Sequence, residues 1–477
     1  MAYGESDQFM VLGRRQRRSA GERTDEMTQP VKETRTGQEG PGKSVQTSLQ
    51  GIADKARKER SHRFQNLFGM LNVPFIEACW SRMNKKSAAG VDHVSAREYE
   101  QNLRVHIEGL VERLKGNRYR AKLVRRQYIP KEPGKMRPLG IPATEDKLLQ
   151  KAVAVILEAI YEQEFLPCSF GYRPKVGAKT AVEYLSQELA TGKYTAIVEA
   201  DIKGFFDNLV QEQLIEMMTK RLDDRRFVRL IQKWLKAGIL EPTGMVIHPL
   251  TGTPQGGIVS PILSNIYLHY ALDEWFETVV RKHCRGKAVL CRYADDYVCA
   301  FEFLSDAERF YKVLGLRLGK FGLELAADKT KIIRFDANAP DEKASFDFLG
   351  FEFRWGHAWG KPRLERRTSR KKLRKSVAAF TEWIRESRSL RLREIMRLVN
   401  SKLRGYYNYY GIQGNRKSLG QFMWSIRQLL WKWLNRRSQK RSFTVVELAA
   451  MQKRYQLLKP FIREGSPDPY QMVMAYF

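Results

Sequence analysis

Two aspartates, Asp295 and Asp296, stand side by side in AVLCRYADDYVCAF (288–301), between apolar runs that read as the strands of a buried hairpin. Adjacent carboxylates repel by ~4 kcal/mol at 4 Å in a protein-like dielectric, and desolvating them costs more unless a cation or hydrogen-bond donors compensate. A polar hairpin turn would not explain the aromatic and apolar flanks on both sides, so a positive charge is expected there. A second pair, Asp223 and Asp224 in KRLDDRRF, is surrounded by charges and reads as the solvated face of a helix. A third acid, Asp201, ends the alternating stretch KYTAIVEAD (193–201). Strand alternation puts Ala196, Val198, Ala200 and Ile202 on one face, and Thr195, Ile197, Glu199 and Asp201 on the other. If the two segments are neighbours in one sheet, Asp201, Asp295 and Asp296 assemble an oxygen-only donor set suited to Mg²⁺. Two such ions activate an attacking hydroxyl and stabilise a leaving pyrophosphate.

The elements that must position these acids follow from the pattern. Residues 1–60 are polar, lack hydrophobic periodicity, contain RRQRR, and read as a disordered basic leader. A helix broken near Pro74 is expected over 63–83, and another over 96–115. LVRRQYI (123–129) reads as a strand. KEPGKMRPLGIP (131–142), with three prolines and two glycines, reads as a mobile loop. DKLLQKAVAVILEAIYEQEF (146–165) repeats apolar residues at helical intervals and is a core helix. Helices over 262–280 and 305–321 and strands over 330–335 and 346–354 complete an α+β domain, its sheet covered on one side. From 366 to about 440 the chain reads as helical, basic and aromatic.

The chain has 477 residues, 43% of them hydrophobic, which allows two or three domains with real cores. Its 84 Lys and Arg against 53 Asp and Glu leave +31, which points to a polyanionic partner. Residues 354–441 hold 25 basic and 4 acidic side chains and thus +21 of that total. The five cysteines form no CxxC pair, which argues against a disulfide framework or zinc knuckle. No apolar run approaches the ~18 residues of a membrane span. A soluble cytoplasmic protein is expected.

Eight segments in order resemble those of bacterial group II intron reverse transcriptase/maturases: KEPGKMRPLGIPATEDKLLQKAV, SFGYRPKVGAKTAV, VEADIKGFFDNL, TGTPQGGIVSPILSNIYLHYALD, CRYADDYV with its Y-x-D-D box, GLELAADKTKI, FDFLGFEF and LRGYYNYYGI. The resemblance implies a right-hand polymerase fold: an N-terminal extension and fingers (61–200), a palm with an antiparallel sheet backed by helices (201–355), a helical thumb or maturase domain (356–440), and a short tail (441–477) with a possible DNA-contacting role. By that resemblance Asp201, Asp295 and Asp296, with the Ile202 carbonyl, would hold two Mg²⁺ ions, for which Mn²⁺ can substitute. Lys329 would protonate departing pyrophosphate. Lys131 and Arg137 would grip the dNTP triphosphate, Phe206 would exclude a ribose 2′-hydroxyl, and Gln255 would lie near the incoming sugar, with Gly256 and Gly257 allowing close backbone approach. FDFLGFEF resembles a primer-gripping hairpin. Arg363, Arg366, Arg367, Arg370, Lys371, Lys372, Arg374, Lys375, Arg404 and Tyr406 are expected at an RNA surface, whereas the thumb tryptophans are expected in the core.

The implied partners are a group II intron RNA, an RNA template with its DNA primer, dNTPs and target DNA. The implied activity is RNA-directed DNA synthesis joined to maturase-assisted splicing and intron mobility. His357 is the last histidine and no paired cysteines follow 441, so the family's C-terminal endonuclease, and with it second-strand cleavage, is not expected. Two alternatives stand beside this: an intron-type enzyme recruited to a host or defence role, and a splicing factor that does not polymerise.

Overall fold

A computed structural model describes residues 41–463, apart from 133–134, 254–255, 340, 342–343 and 438–442. It opens with α1 (Pro41–Lys58), where the sequence pattern suggests a disordered leader to residue 60. The part of that leader before residue 41 lies outside the described residues. Leu49, Ile52 and Ala56 recur at helical spacing and pack on the main core, Ala56 completely buried. A stripe of three small or medium apolar residues is easily hidden in so polar a composition.

Next come α2 (Val73–Trp80), α3 (Ala96–Gln101) and α4 (Leu103–Lys115). Pro74 begins α2 rather than breaking a longer helix: it lies in the first turn, where no backbone donor is needed, and the Asn72 side chain accepts from Phe75 N. Strands β1 (Val124–Glu132) and β2 (Lys135–Ile141) form a hairpin, so most of the expected loop 131–142 is strand. Pro138 is tolerated because β2 is the edge of its sheet. Helix α5 (Thr144–Tyr161) is buried on nearly every face, as its pattern predicts.

Helix α6 (Ala178–Thr191) precedes β3 (Ala196–Asp201), followed by α7 (Phe205–Asn208), α8 (Gln211–Thr219), α9 (Arg225–Leu235) and the short strands β4 (Ile239–Leu240) and β5 (Val246–Ile247). The Asp223–Asp224 pair is not a solvated helical face. Asp224 caps α9, accepting from Arg226 N and Phe227 N, and also takes Phe68 N, while Asp223 accepts from Gln65 and Arg63.

Helix α10 (Ser260–Leu268) runs through two π-helical turns into α11 (Arg281–His283). The acid-bearing hairpin is β6 (Ala288–Tyr293) and β7 (Asp296–Phe301), followed by α12 (Leu304–Gly319) and β8 (Lys331–Arg334). The order β6-β7-β3-β8, antiparallel throughout, makes the central sheet. This sheet is covered on both faces, not one. Ala196, Val198, Ala200, Leu290, Cys299 and Phe301 join the core of α5, α10 and α12, while Ile197, Val289, Cys291, Val298 and Ala300 join a second core.

That second core includes β9 (Ser345–Phe348), β10 (Phe351–Ala358) and β11 (Lys361–Thr368), then α13 (Arg370–Ser387), α14 (Leu392–Tyr410), α15 (Arg416–Leu434) and α16 (Val445–Arg454). Strand β11 falls where the sequence is too basic to show alternation, and the expected boundary at 355/356 cuts β10. The boundary at 200/201 likewise cuts β3. Leu448, Met451 and Leu457 bury with the thumb helices, which joins this part of the expected tail to the domain before it.

Candidate active site

Asp201 is the Cα partner of Asp296, and Asp296 is also the partner of Tyr293 across the hairpin. Directly paired residues project from the same face of a sheet, so Asp201 and Asp296 are lateral neighbours and Asp295 occupies the adjoining turn. Strand alternation predicts this placement for Glu199 and Asp201, and both meet lysines: Lys331 Nζ lies 3.2 Å from Glu199, and Lys329 Nζ donates to Asp201 Oδ2 at 2.6 Å. Ile202 is buried below, its backbone bridged to Leu325.

The three carboxylates do not form a finished cage. Among the described residues no three His, Cys, Asp or Glu side chains stand close enough to enclose a metal ion. Lys329 engages the Asp201 carboxylate. The donor set nevertheless fits a hard divalent ion. Burial, reinforced by Asp295, Asp201 and Glu199, pushes the Asp296 carboxyl up to about 7, an excess of negative potential that a cation relieves. With the folded-state value above the ordinary aspartate value near 4, the cation-free protein holds an extra proton, and its stability falls as pH rises from about 4 to 7. Mg²⁺ must displace that proton. We expect its affinity to rise about tenfold per pH unit below 7 and to level off above, as read by isothermal titration calorimetry at pH 6, 7 and 8.

The turn itself is strained and braced. Ala294 has φ +57, a left-handed conformation that a Cβ disfavours. Arg292, fully buried, holds it: Nη1 donates to the Ala294 carbonyl at 3.0 Å and to Asn265 Oδ1 at 3.0 Å, Nη2 donates to Ser169 Oγ at 2.6 Å, and the fork grips the equally buried Asp273 at 2.6 and 2.5 Å. Gly171 presses against the turn from the other side. A Cβ there would lie 2.2 Å from Ala294 N. Sequence reasoning missed these residues. The available signal was Arg292 itself, which alternation places on the same face as Leu290 and therefore in the core, where a charge demands a partner such as Asp273.

On the fingers side, Arg137 pairs with Ile129 in the β1–β2 hairpin. It shares an electrostatic neighbourhood with Tyr172 and Asp295: protein atoms crowding the Tyr172 phenol and the Asp295 charge push it up, and Arg137 draws it down. The Lys131 side chain and Gln255 lie outside the described residues. Gly256, with φ +112, would place a Cβ 2.4 Å from the Gly140 carbonyl oxygen, so this loop meets β2 backbone to backbone as its glycines suggest. Phe206 is buried, edge-on to Phe205, and its carbonyl accepts from Thr253 N at 2.8 Å.

Comparison with known proteins decides the lineage. Residues 129–353 match the reverse transcriptase (RNA-dependent DNA polymerase) family, and residues 370–450 match the group II intron maturase-specific domain. The chain is 31% identical over 365 residues to Protein YkfC of Escherichia coli (strain K12), covering 69% of this chain and 94% of that relative. It is 30% identical over 401 residues to the group II intron-encoded protein LtrA of Lactococcus lactis subsp. cremoris, covering 66% of this chain and 65% of LtrA. The chain belongs to the group II intron-encoded reverse transcriptase/maturases. The expected α+β polymerase domain followed by a helical maturase region is thereby shown.

The maturase region of this reverse transcriptase departs from expectation at several side chains. Tyr406 is buried and stacks on Phe422 with ring centroids 3.7 Å apart, so it is core and not an RNA contact. Arg367 is paired with Glu352 at 2.8 and 2.9 Å, and Arg366 donates to Ser186 Oγ and the Gln413 carbonyl, both at 3.3 Å. Conversely Trp424 and Trp431 are exposed, and only Trp433 of these three is buried. Arg363, Arg370, Lys371, Arg374, Lys375 and Arg404 are exposed, and Lys372 is half-buried. Five of these cations crowd the first turns of α13, which has no acid in its first turn. Cations at a helix N-terminus oppose its dipole, an arrangement a polyanion relieves. No helix among the described residues is long and apolar enough to cross a membrane.

Proposed function

We propose that this protein is a cytoplasmic, ribonucleoprotein-associated enzyme that binds a group II intron RNA, assists its splicing and copies RNA into DNA from a DNA primer during intron mobility at a target DNA. The observation that carries this reading is the Asp201–Asp296 pairing beside the braced Asp295 turn. Asp201, Asp295, Asp296 and the Ile202 carbonyl would hold two Mg²⁺ ions, for which Mn²⁺ can substitute, and these would supply activation of the primer 3′-hydroxyl and charge neutralisation at the phosphates. Lys329, which donates to Asp201, would supply its ammonium proton to the departing pyrophosphate. Arg137 and Lys131 orient the triphosphate from the fingers hairpin, Phe206 closes the space where a ribose 2′-hydroxyl would sit, and Gln255 lies against the incoming sugar. Extension of a DNA primer on an RNA template by the purified chain tests the proposal. Absence of Mg²⁺- or Mn²⁺-dependent product, with RNA bound normally, would refute polymerisation and leave only the splicing role.

The exposed cations of α13 are the intron-facing surface in this reading. Changing Arg370, Arg374 and Lys375 to alanine together is expected to weaken RNA binding and to reduce the slope of log K against log salt by about 2 to 3, measured by filter binding. Tyr406→Ala is expected to leave that slope unchanged while costing about 3 kcal/mol of stability.

A further inference from the structure

The β10–β11 hairpin ends in a feature that folding does not explain. Ala358 pairs with Lys361, leaving Trp359 and Gly360 as a two-residue loop with φ of +55 and +71. Such loops favour Asn-Gly or Gly-Gly because both central residues need positive φ. A tryptophan there is strained by its backbone, and it gains nothing from burial, being 100% exposed. An outlier of this kind points to use.

Its surroundings identify the partner. Strand β9 pairs with β10 only over Phe351–Arg354, so from Gly356 onward the hairpin is a two-stranded ribbon extending past the sheet. Lys361 stands opposite Ala358, and Arg363 opposite Gly356. Ala358 covers little of Lys361, and although the Glu365 carboxylate lies over Gly356, it pairs with Arg354, so among the described residues neither Lys361 nor Arg363 has an ion-pair partner. One exposed aromatic ring at the tip, followed on one face of the ribbon by two cations, in a stretch carrying much of the chain's positive charge, suits a nucleobase with its neighbouring phosphates along that face. A protein partner would call for a wider apolar patch than this single exposed ring. The tip lies roughly 20 Å along β10 from Glu352, at ~3.3 Å per residue, and Glu352 is the partner of Asp347 near the catalytic face. The contact is therefore remote from nucleotide selection.

We propose that Trp359 stacks on an unpaired RNA base, with Lys361 and Arg363 holding the adjoining phosphates, so that the β10–β11 tip is a single-strand contact distant from the polymerase centre. The proposal rests on the RNA-binding part of the function given above and not on polymerisation.

The test uses the full chain with Trp359→Asn, which suits the turn and removes the ring, and Trp359→Phe, which keeps an aromatic. Affinity is measured for a single-stranded RNA, for a fully paired RNA duplex, and for the single strand carrying an abasic stretch. Trp359→Asn is expected to lose about 5- to 150-fold on the single strand, to lose little on the duplex or abasic strand, and to melt no lower than the parent. Trp359→Phe is expected to recover most of the loss. Unchanged binding to all three RNAs would overturn the proposal, and so would an equal loss on all three, or a loss that phenylalanine does not recover. Primer extension run in parallel separates the two ideas: a parent that binds RNA but does not extend a primer defeats the polymerase reading alone.

Discussion

Changing Asp295 and Asp296 together to alanine is expected to lower primer extension on an RNA template by more than about 10³-fold, with RNA affinity unaltered. The two residues occupy the turn and first strand position of the hairpin beside Asp201, and they carry most of the negative charge that would gather cations there. Stability should move the opposite way. Asp296 resists ionisation chiefly because it is buried, and further because Asp295, Asp201 and Glu199 supply negative charge, so removing two acids relieves both desolvation and repulsion in the cation-free protein. The expected result is a melting temperature at or above that of the parent together with lost synthesis, a pairing that general misfolding cannot imitate. Equal extension by parent and variant would remove Asp295 and Asp296 from the chemistry.

The second large effect lies beneath the turn. Arg292→Ala leaves Asp273 charged and fully buried without its partner and strands the Ala294 carbonyl and Ser169 hydroxyl as well. Breaking a buried pair from one side costs about 3–5 kcal/mol, a large part of the 5–15 kcal/mol that holds an ordinary domain together. Urea denaturation should show the midpoint falling accordingly. Replacing the pair by Arg292→Met with Asp273→Leu separates support of the fold from support of the turn. The double variant is expected to recover most of the stability while remaining at least tenfold slow in synthesis, because no guanidinium then holds the Ala294 carbonyl in its left-handed turn. Full activity in a stable double variant would show that the guanidinium merely fills space.

What could be foreseen from sequence divides along physical lines. Alternation in KYTAIVEAD and the apolar flanks of YADD placed Asp201 and Asp296 on one sheet face, because a strand's period is short and each residue's neighbours settle its side. The α5 pattern was equally direct, being apolar on nearly every face. Features that depend on distant partners stayed hidden. Strand β11 is mostly charged, and its pairing comes from β10 and from ion pairs such as Arg367 with Glu352. Helix α1 presents an apolar stripe of only Leu49, Ile52 and Ala56, and its other ties, such as Arg57 to Gln163 and Arg221 to the Ala56 carbonyl, run to distant segments. The thumb aromatics were hardest to assign: Tyr406 and Trp424 sit in similar sequence surroundings, yet one stacks in the core and the other faces outward. At the site, Gly171 and Asn265 act on backbone atoms more than 20 positions away, and no local pattern announces that.

The sheet's acid-bearing face has a mechanical consequence. Farther along the strands from the carboxylates, Ile197, Val298 and Ala300 share one continuous apolar mass with Phe351, Phe380, Leu403 and Tyr407, which joins the thumb helices to the same face that carries Asp201 and Asp296. A hinge at that seam would have to expose the whole mass to water at each swing. Relative motion of the thumb helices and the catalytic strands is therefore costly at that seam.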